Sequence, residues 1–326
     1  MLRSWRQAMA DALYGESGFY RRERPAEHFR TSVHASPLFA AALAGLAVRV
    51  DAALGHPERF DLVDVGAGGG ELLAGVAAAV PEGLRARLRA TGVEVAARPA
   101  EVPADLGWTA RIPELTGLLV ANEWLDNMPV DVVELTPAGP RLVLVDGAGG
   151  ESLGPPPGEP DRAWLAAWWP LTEVGARAEV GRERDAAWAA AVGRVSRGVA
   201  VAADYAHTRD ERAAGAVAGG TLAAYRDGRP VPPVPDGSCD LTAHVALDAC
   251  AAATGPGTAT VLTTQRAALR ALGVRGERPP REFASTDPAG YLAALVGAGQ
   301  AAELTDPGGL GGFGWLVQAV GVPLPL

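Results

Sequence analysis

The sequence predicts an α/β fold built on a Rossmann-like, largely parallel sheet, and three observations carry that expectation. A short apolar strand, FDLVDVG (60–66), runs directly into the glycines Gly66, Gly68 and Gly70 and then into the helix-like run ELLAGVAAAV. Further strand-like segments follow at intervals: ATGVEVA (90–96), the weaker GWTAR (107–111), LTGLLVA (115–121) and GVAVAADY (198–205). Strands that alternate with helical stretches form βαβ units, whose crossovers impose parallel pairing. Finally, acidic residues stand at strand ends, Asp64 before the first turn and Glu94 ending the second strand. That carboxyl edge is where such sheets bind ligands.

The elements follow in chain order. SWRQAMADALY (4–14) and PLFAAALAGLAVRVDAAL (37–54) carry apolar residues at helical spacing. Residues 1–58 are therefore expected to form an N-terminal helical extension, with 59–326 as the main domain. Beyond the fourth strand, DVVEL and RLVLVDG flank TPAGP and read as a β-hairpin, and PPPGEP (155–160) is an exposed break. A helix at 184–197 leads to the fifth strand. Residues 206–238 are rich in Gly, Pro and Arg with little periodicity, which suits a functional lid or disorder. A helix at 242–253, the strand TATVLTT (258–264), helices at 265–272 and 287–299 and the strand GWLVQAVG (314–321) complete the chain, with no internal repeat.

Composition narrows the function. The 326 residues are 48% hydrophobic, yet no apolar run approaches the roughly 20 residues needed to cross a bilayer. The first 20 residues mix arginines with Asp11 and Glu16 and lack the apolar core of a signal peptide, so a cytoplasmic protein is expected. Cys239 and Cys250 are too few for a disulfide framework or a four-ligand zinc site; they read as buried free thiols, with a disulfide between them as an alternative that nothing in the sequence supports. The histidines at 28, 34, 56 and 207 lack metal-ligand spacing, so no metal is expected. A net charge of −9 argues against a nucleic-acid partner, and the cluster Arg21, Arg22, Arg24 reads as a solvated turn. Lysine is absent, which looks like coding bias.

The glycine loop carries the first chemical signal. Its G-x-G-x-G spacing lets the backbone approach a ligand closely. Where a dinucleotide-binding loop wants its last glycine, this chain has Glu71. A carboxylate at the helix start disfavours a pyrophosphate there, whereas a zwitterionic amino-acid moiety is less sensitive. Asp64 is placed to accept from an ammonium, and Glu94 can accept from both hydroxyls of a ribose. These features also suit NAD, and taken alone they describe a tight turn and a solvated strand end.

Seven separated motifs settle that choice by resemblance: HFRTSVHASPLF (28–39), LVDVGAGGG (62–70), ANEWLDNMPV (121–130), ADYA (203–206), GGTLAAY (219–225), DLTAHV (240–245) and TTQRAAL (263–269). In this order and spacing they resemble the MidA family of methyltransferases, related to the mitochondrial complex I assembly arginine methyltransferase. The resemblance implies a class I methyltransferase sheet, S-adenosylmethionine as cofactor, a helical N-terminal extension and an added acceptor-side lobe, here from insertions near 131–160 and 206–245. It implies a donor pocket of Thr31, Ser32, Gly66, Gly68, Gly70, Glu94 and Asn122, beside Asp64. On the acceptor side it implies Glu123, Asp126 and Pro129, with Asp240, Thr242 and His244. The chain departs from the family at Glu27-His28, where Gly-Asp is usual, at Asp64 in place of Glu, and at Ala206 in place of glycine.

Methyl transfer is an SN2 displacement from a sulfonium, so the protein's tasks are to align the nucleophile and adjust its charge. A guanidinium acceptor needs carboxylates to hold its fork, and Glu123 and Asp126 offer two from one short turn. The same pair can equally cap a structural turn. His244 is a candidate general base, or else a residue satisfied beside an Asp240 helix cap. Trp124 and Met128 read as packing residues, while Tyr205 and Tyr225 suit pocket or core equally well. The expected activity is methylation of a nitrogen or oxygen acceptor, an arginine of a protein by family analogy. The alternatives are a small-metabolite methyltransferase, a donor-binding assembly factor without turnover, and a nicotinamide-dependent oxidoreductase. No membrane partner is expected, and a homodimer is allowed.

Overall fold

The computed structural model describes residues 1–23 and 31–326. Arg24, Glu27, His28 and the start of the motif 28–39, named above, lie outside the described residues.

A seven-stranded sheet forms the centre. Its strands are β2 (Phe60–Val65), β3 (Leu88–Val93), β4 (Gly107–Thr109), β5 (Leu115–Asn122), β10 (Val195–Asp204), β14 (Ala259–Thr264) and β15 (Gly314–Val320), in the order β14-β15-β10-β5-β2-β3-β4. Strands β10, β5, β2, β3 and β4 are parallel, and β15 alone runs against its neighbours β10 and β14. Strands buried on both faces need near-continuous apolar sequence. Phe60–Val65 is buried at every position, and β10 from Gly198 to Asp204 likewise. Helices cover both faces. Pro37–Ala53 and Glu71–Ala79 pack on one side with Phe39, Leu43, Leu72 and Val76, and Arg182–Val192 and Leu247–Ala253 pack on the other with Trp188 and Leu247.

The remaining eight strands make a lobe. β6 (Asp131–Thr136) and β7 (Gly139–Val145) form the expected hairpin, extended by β1 (Arg3–Ser4), β8 (Glu151–Leu153) and β9 (Arg177–Val180). A three-stranded sheet of β11 (Ala223–Arg226), β12 (Arg229–Val231) and β13 (Asp240–Thr242) takes its first two strands from the stretch 206–238 read as a lid or disorder. That segment is ordered instead by Thr208, which caps the helix Arg209–Ala213, and by pairing of β11 with β13. Its apolar residues are few, but Ala224, with Cys239 and Leu241 just beyond the segment, enters one core with Val130, Val132, Val143 and Val145.

The N-terminal segment divides between the two parts. The helix Trp5–Tyr14 packs Trp5, Met9 and Leu13 into the lobe's core, whereas Pro37–Ala53 belongs to the central sheet. Other boundaries shift modestly. The helix expected at 184–197 ends at Val192 because β10 already begins at Val195, and the one expected from Thr242 starts at Leu247 because 240–242 is strand. Both cysteines are free and buried. Among the described residues no helix is long and apolar enough to cross a membrane, and no group of acidic, His and Cys side chains could hold a metal ion.

Candidate active site

A cavity of about 570 Å³ opens between the carboxyl edge of the central sheet and the lobe. One half is built by the loop after β2. Gly66, with φ +76°, starts the turn, and a Cβ there would meet the Trp124 ring at 3.3 Å. Gly66 and Ala67 donate their amides to the Val93 carbonyl, tying the loop to β3. Gly70, in the left-handed region at φ +81°, caps the helix Glu71–Ala79 and packs beneath Val102 and Trp108, away from the cavity wall.

Glu71 occupies the start of that helix. A Cβ on Gly69 would strike its Oε1 at 2.2 Å, so the carboxylate folds back over the loop. His34 Nε2 lies 3.8 Å away, and the nearby imidazole holds the Glu71 carboxyl below its usual range. The position a pyrophosphate would take at this helix N-terminus is thus filled by the protein's own negative charge. That geometry disfavours a dinucleotide.

Glu94 is pre-oriented by three backbone amides: Gly68 donates to Oε2 at 3.2 Å, and Val95 and Ala96 donate to Oε1 at 2.6 and 3.3 Å. Two carboxylate oxygens offer about four acceptor sites, so about one remains, on Oε2, for a ribose hydroxyl. Val93, Val95, Ala110 and Ile112 supply an apolar wall beside it. Asp64 is buried, and burial, followed by Glu94 and Glu71, pushes its carboxyl up to about 7. The cavity therefore favours a ligand carrying positive charge near Asp64.

The end of β5 carries the other group of candidates. Glu123 adopts φ +51°, a conformation that costs a non-glycine residue roughly 1–2 kcal/mol. Its amide donates to the Ala203 carbonyl at 2.8 Å, which holds the turn in place. Its Oε1 accepts from the Ser32 amide at 3.1 Å and from Asn122 Nδ2 at 3.0 Å. Ser32 itself is fully buried against Gln265 and does not line the cavity, so it reaches the site through Glu123. Burial and then Asp126 push the Glu123 carboxyl up to about 7. Asn122 Oδ1 is buried without a partner, and Asn122 lines the cavity.

Asp126 is 4% exposed; its Oδ2 accepts from Thr242 at 2.7 Å and its Oδ1 has no partner. Burial raises its carboxyl, while Thr242 and Arg184 oppose the shift. Buried Arg184 donates to the carbonyls of Asp126, Met128, Ala243 and His244, locking the 123–129 loop to the 240–245 segment. Asp204 Oδ2 accepts from the Leu125 and Asp126 amides from the opposite side.

Several assignments differ from the sequence reading. His244 lies off the cavity wall, stacked on Tyr205 at 5.6 Å, and burial and Arg184 lower its imidazole pKa. Trp124 and Met128, read as packing residues, do pack against the core but also line the cavity. His34, counted among scattered histidines, reaches the wall through its hydrogen bond with Thr31 at 2.8 Å. Tyr14, Tyr20 and Asn127 were not anticipated. An aromatic in an amphipathic helix normally signals core packing, and nothing near Tyr14 in sequence links it to motifs a hundred residues away.

The lining chemistry is one-sided. Among the described residues it includes Asp64, Glu71, Glu94, Glu123, Asp126 and Asp240, and the single basic side chain is His34. The site would suit a cationic donor, with a glycine cradle, a ribose-ready carboxylate and no room for a pyrophosphate.

Comparison with known proteins agrees. Residues 42–263 match the family described as "Putative S-adenosyl-L-methionine-dependent methyltransferase". Two crystal structures from Burkholderia thailandensis are similar over 99% of this chain. One, a COG1565 superfamily member bound to S-adenosyl-homocysteine, has 26% identity over 89% of its own chain with a TM-score of 0.82. The other, an uncharacterized COG1565 superfamily protein in native form, has 25% identity over 88% of its chain with the same TM-score. No curated protein matches the chain. With its matched segment spanning most of its length and its central sheet complete, the chain belongs to this family of S-adenosylmethionine-dependent methyltransferases and is a class I enzyme.

Proposed function

We propose that this enzyme methylates a cationic nitrogen acceptor, a guanidinium by resemblance to the MidA family and therefore an arginine of a protein. The observation that carries the reading is the acceptor half of the cavity. Glu123, Asp126 and Asp240 face it among Tyr14, Tyr20, Tyr205 and Tyr225, and no Arg among the described residues lines it. Tyrosine faces and carboxylates together recognise a cation, by ring quadrupole and by charge-assisted hydrogen bonds.

The geometry supports the following roles. Gly66 and Gly68 would admit the donor's backbone-like moiety, Glu94 its ribose, Asp64 and Asn122 Oδ1 its ammonium or other N–H donors, and Thr31 would fix His34 over Glu71. The bound donor supplies an electrophilic methyl on a sulfonium. Glu123, tethered by Ser32 and Asn122, would hold the guanidinium and polarise the attacking nitrogen. As the N–C bond forms, the S–C bond breaks with its electron pair leaving on sulfur, and the nitrogen sheds a proton. A carboxyl near neutrality, such as Glu123, can take that proton. Tyr14, Tyr20 and Thr31 from the N-terminal 1–58 line the cavity together with Asp240 and Thr242 from the insertion near 206–245.

The test is incubation with methyl-labelled S-adenosylmethionine and either cell protein or a small-metabolite fraction. Label in protein as methylarginine supports the reading; label confined to low-mass products assigns a small-molecule acceptor instead.

A further inference from the structure

We propose that Tyr20 and Asp240, with Tyr14 stacked beside them, are specificity determinants that restrict the acceptor to a planar cation with N–H donors. The proposal deepens the guanidinium reading above and rests on it. Asp240 is 5% exposed, and its Oδ1 accepts from the Tyr20 hydroxyl at 2.7 Å and from Asn127 Nδ2 at 3.0 Å. Tyr14 stacks on Tyr20 at 5.6 Å between centroids and donates its hydroxyl to the Asn127 carbonyl at 3.2 Å. Both donors to Asp240 are neutral, and among the described residues no Arg or His pairs with the carboxyls of Asp240 or Asp126. Asp126 Oδ1 adds a buried acceptor in the same wall with no partner at all.

An unpaired buried carboxylate is costly, and unpaired acceptors reject a ligand that cannot donate to them. A guanidinium brings its charge together with several N–H groups in a plane. A quaternary ammonium brings the charge alone, so it satisfies the tyrosine faces but donates nothing to the Asp240 carboxylate and leaves Asp126 Oδ1 without a partner. The wall is also rigid. The Tyr20 and Tyr14 hydroxyls, Asn127 and Asp240 are hydrogen-bonded to one another, and the helix Trp5–Tyr14 is anchored in the lobe's core by Trp5, Met9 and Leu13. The N-terminal segment is on this view part of the acceptor site.

Calorimetry on the full chain saturated with S-adenosylhomocysteine tests this, using Nα-acetyl-arginine methylamide and Nα-acetyl-trimethyllysine methylamide as probes. The wild type is expected to prefer the arginine probe at least tenfold. Asp240→Asn is expected to erase the preference and Tyr20→Phe to reduce it several-fold, with S-adenosylhomocysteine affinity within twofold of wild type in both. Tyr20→Phe removes one hydroxyl and keeps the ring stack, so it reads the hydrogen bond and not the fold. An undiminished preference in both variants overturns the proposal and leaves the guanidinium reading standing. Equal binding of the two probes by the wild type overturns the proposal as well. If the wild type binds neither probe, the guanidinium reading falls and the proposal falls with it.

Discussion

At the scale of single residues, Glu94 and Glu123 separate donor binding from chemistry. Glu94 is held by three amides and faces the cavity. Hydrogen bonds to a charged group contribute about 1.5–3 kcal/mol each, so Glu94→Ala is expected to weaken S-adenosylhomocysteine binding roughly 10–100-fold by calorimetry. Glu123→Gln keeps an oxygen for Ser32 and Asn122 but loses the charge. Its kcat is expected to fall about 100-fold or more in a labelled-methyl assay, with donor affinity little changed. Gly66→Ala must hold φ +76° and press a methyl against Trp124. A cost of about 1–2 kcal/mol is expected, read as a lowered midpoint in urea together with weaker donor binding. Of these residues the glycines, Glu94 and Glu123 were legible in sequence, since strand-then-glycine and strand-end acid follow from local backbone geometry. Tyr14, Tyr20 and the withdrawal of His244 behind Tyr205 were not, because contacts between residues over a hundred positions apart leave no local trace.

At the scale of elements, Arg184 is the clasp between the β5 turn and the β13 segment. It is 2% exposed and serves four carbonyls from two separate loops. Each buried carbonyl left without a donor costs about 1–3 kcal/mol, so Arg184→Met is expected to lose several kcal/mol in urea denaturation. The strong strands were readable because burial on both faces demands unbroken apolar runs, as in 60–65 and 115–122. The short strands β1, β8, β9 and β11–β13 escaped notice. Runs of only two to four residues form strand only when a neighbouring edge is already present to pair with.

At the scale of the whole molecule, the cavity concentrates charge that the fold does not neutralise. Asp64, Glu123 and Asp240 are each pushed up to about 7, burial being the first cause in every case. Between the ordinary carboxyl range and pH 7 the folded chain therefore binds protons that the unfolded chain has released. Stability from these groups should fall as pH rises through that window. Thermal melts of the ligand-free protein are expected to show a lower midpoint at pH 8 than at pH 5.5, and Asp64→Asn should flatten the difference. Binding of a cationic acceptor should run the other way, strengthening as pH rises through about 7 while the carboxyls ionise.

The sequence alone determined the α/β class, the order of the major strands, the glycine turn and the acids at the strand ends. Those properties reside in a few consecutive residues, where burial pattern and backbone sterics act locally. Only the tertiary structure decided that the first helix joins the lobe, that 206–245 carries a helix and a three-stranded sheet, and which side chains meet in the cavity. Those outcomes depend on surfaces brought together from distant parts of the chain, and their energies exist only once the chain has closed on itself.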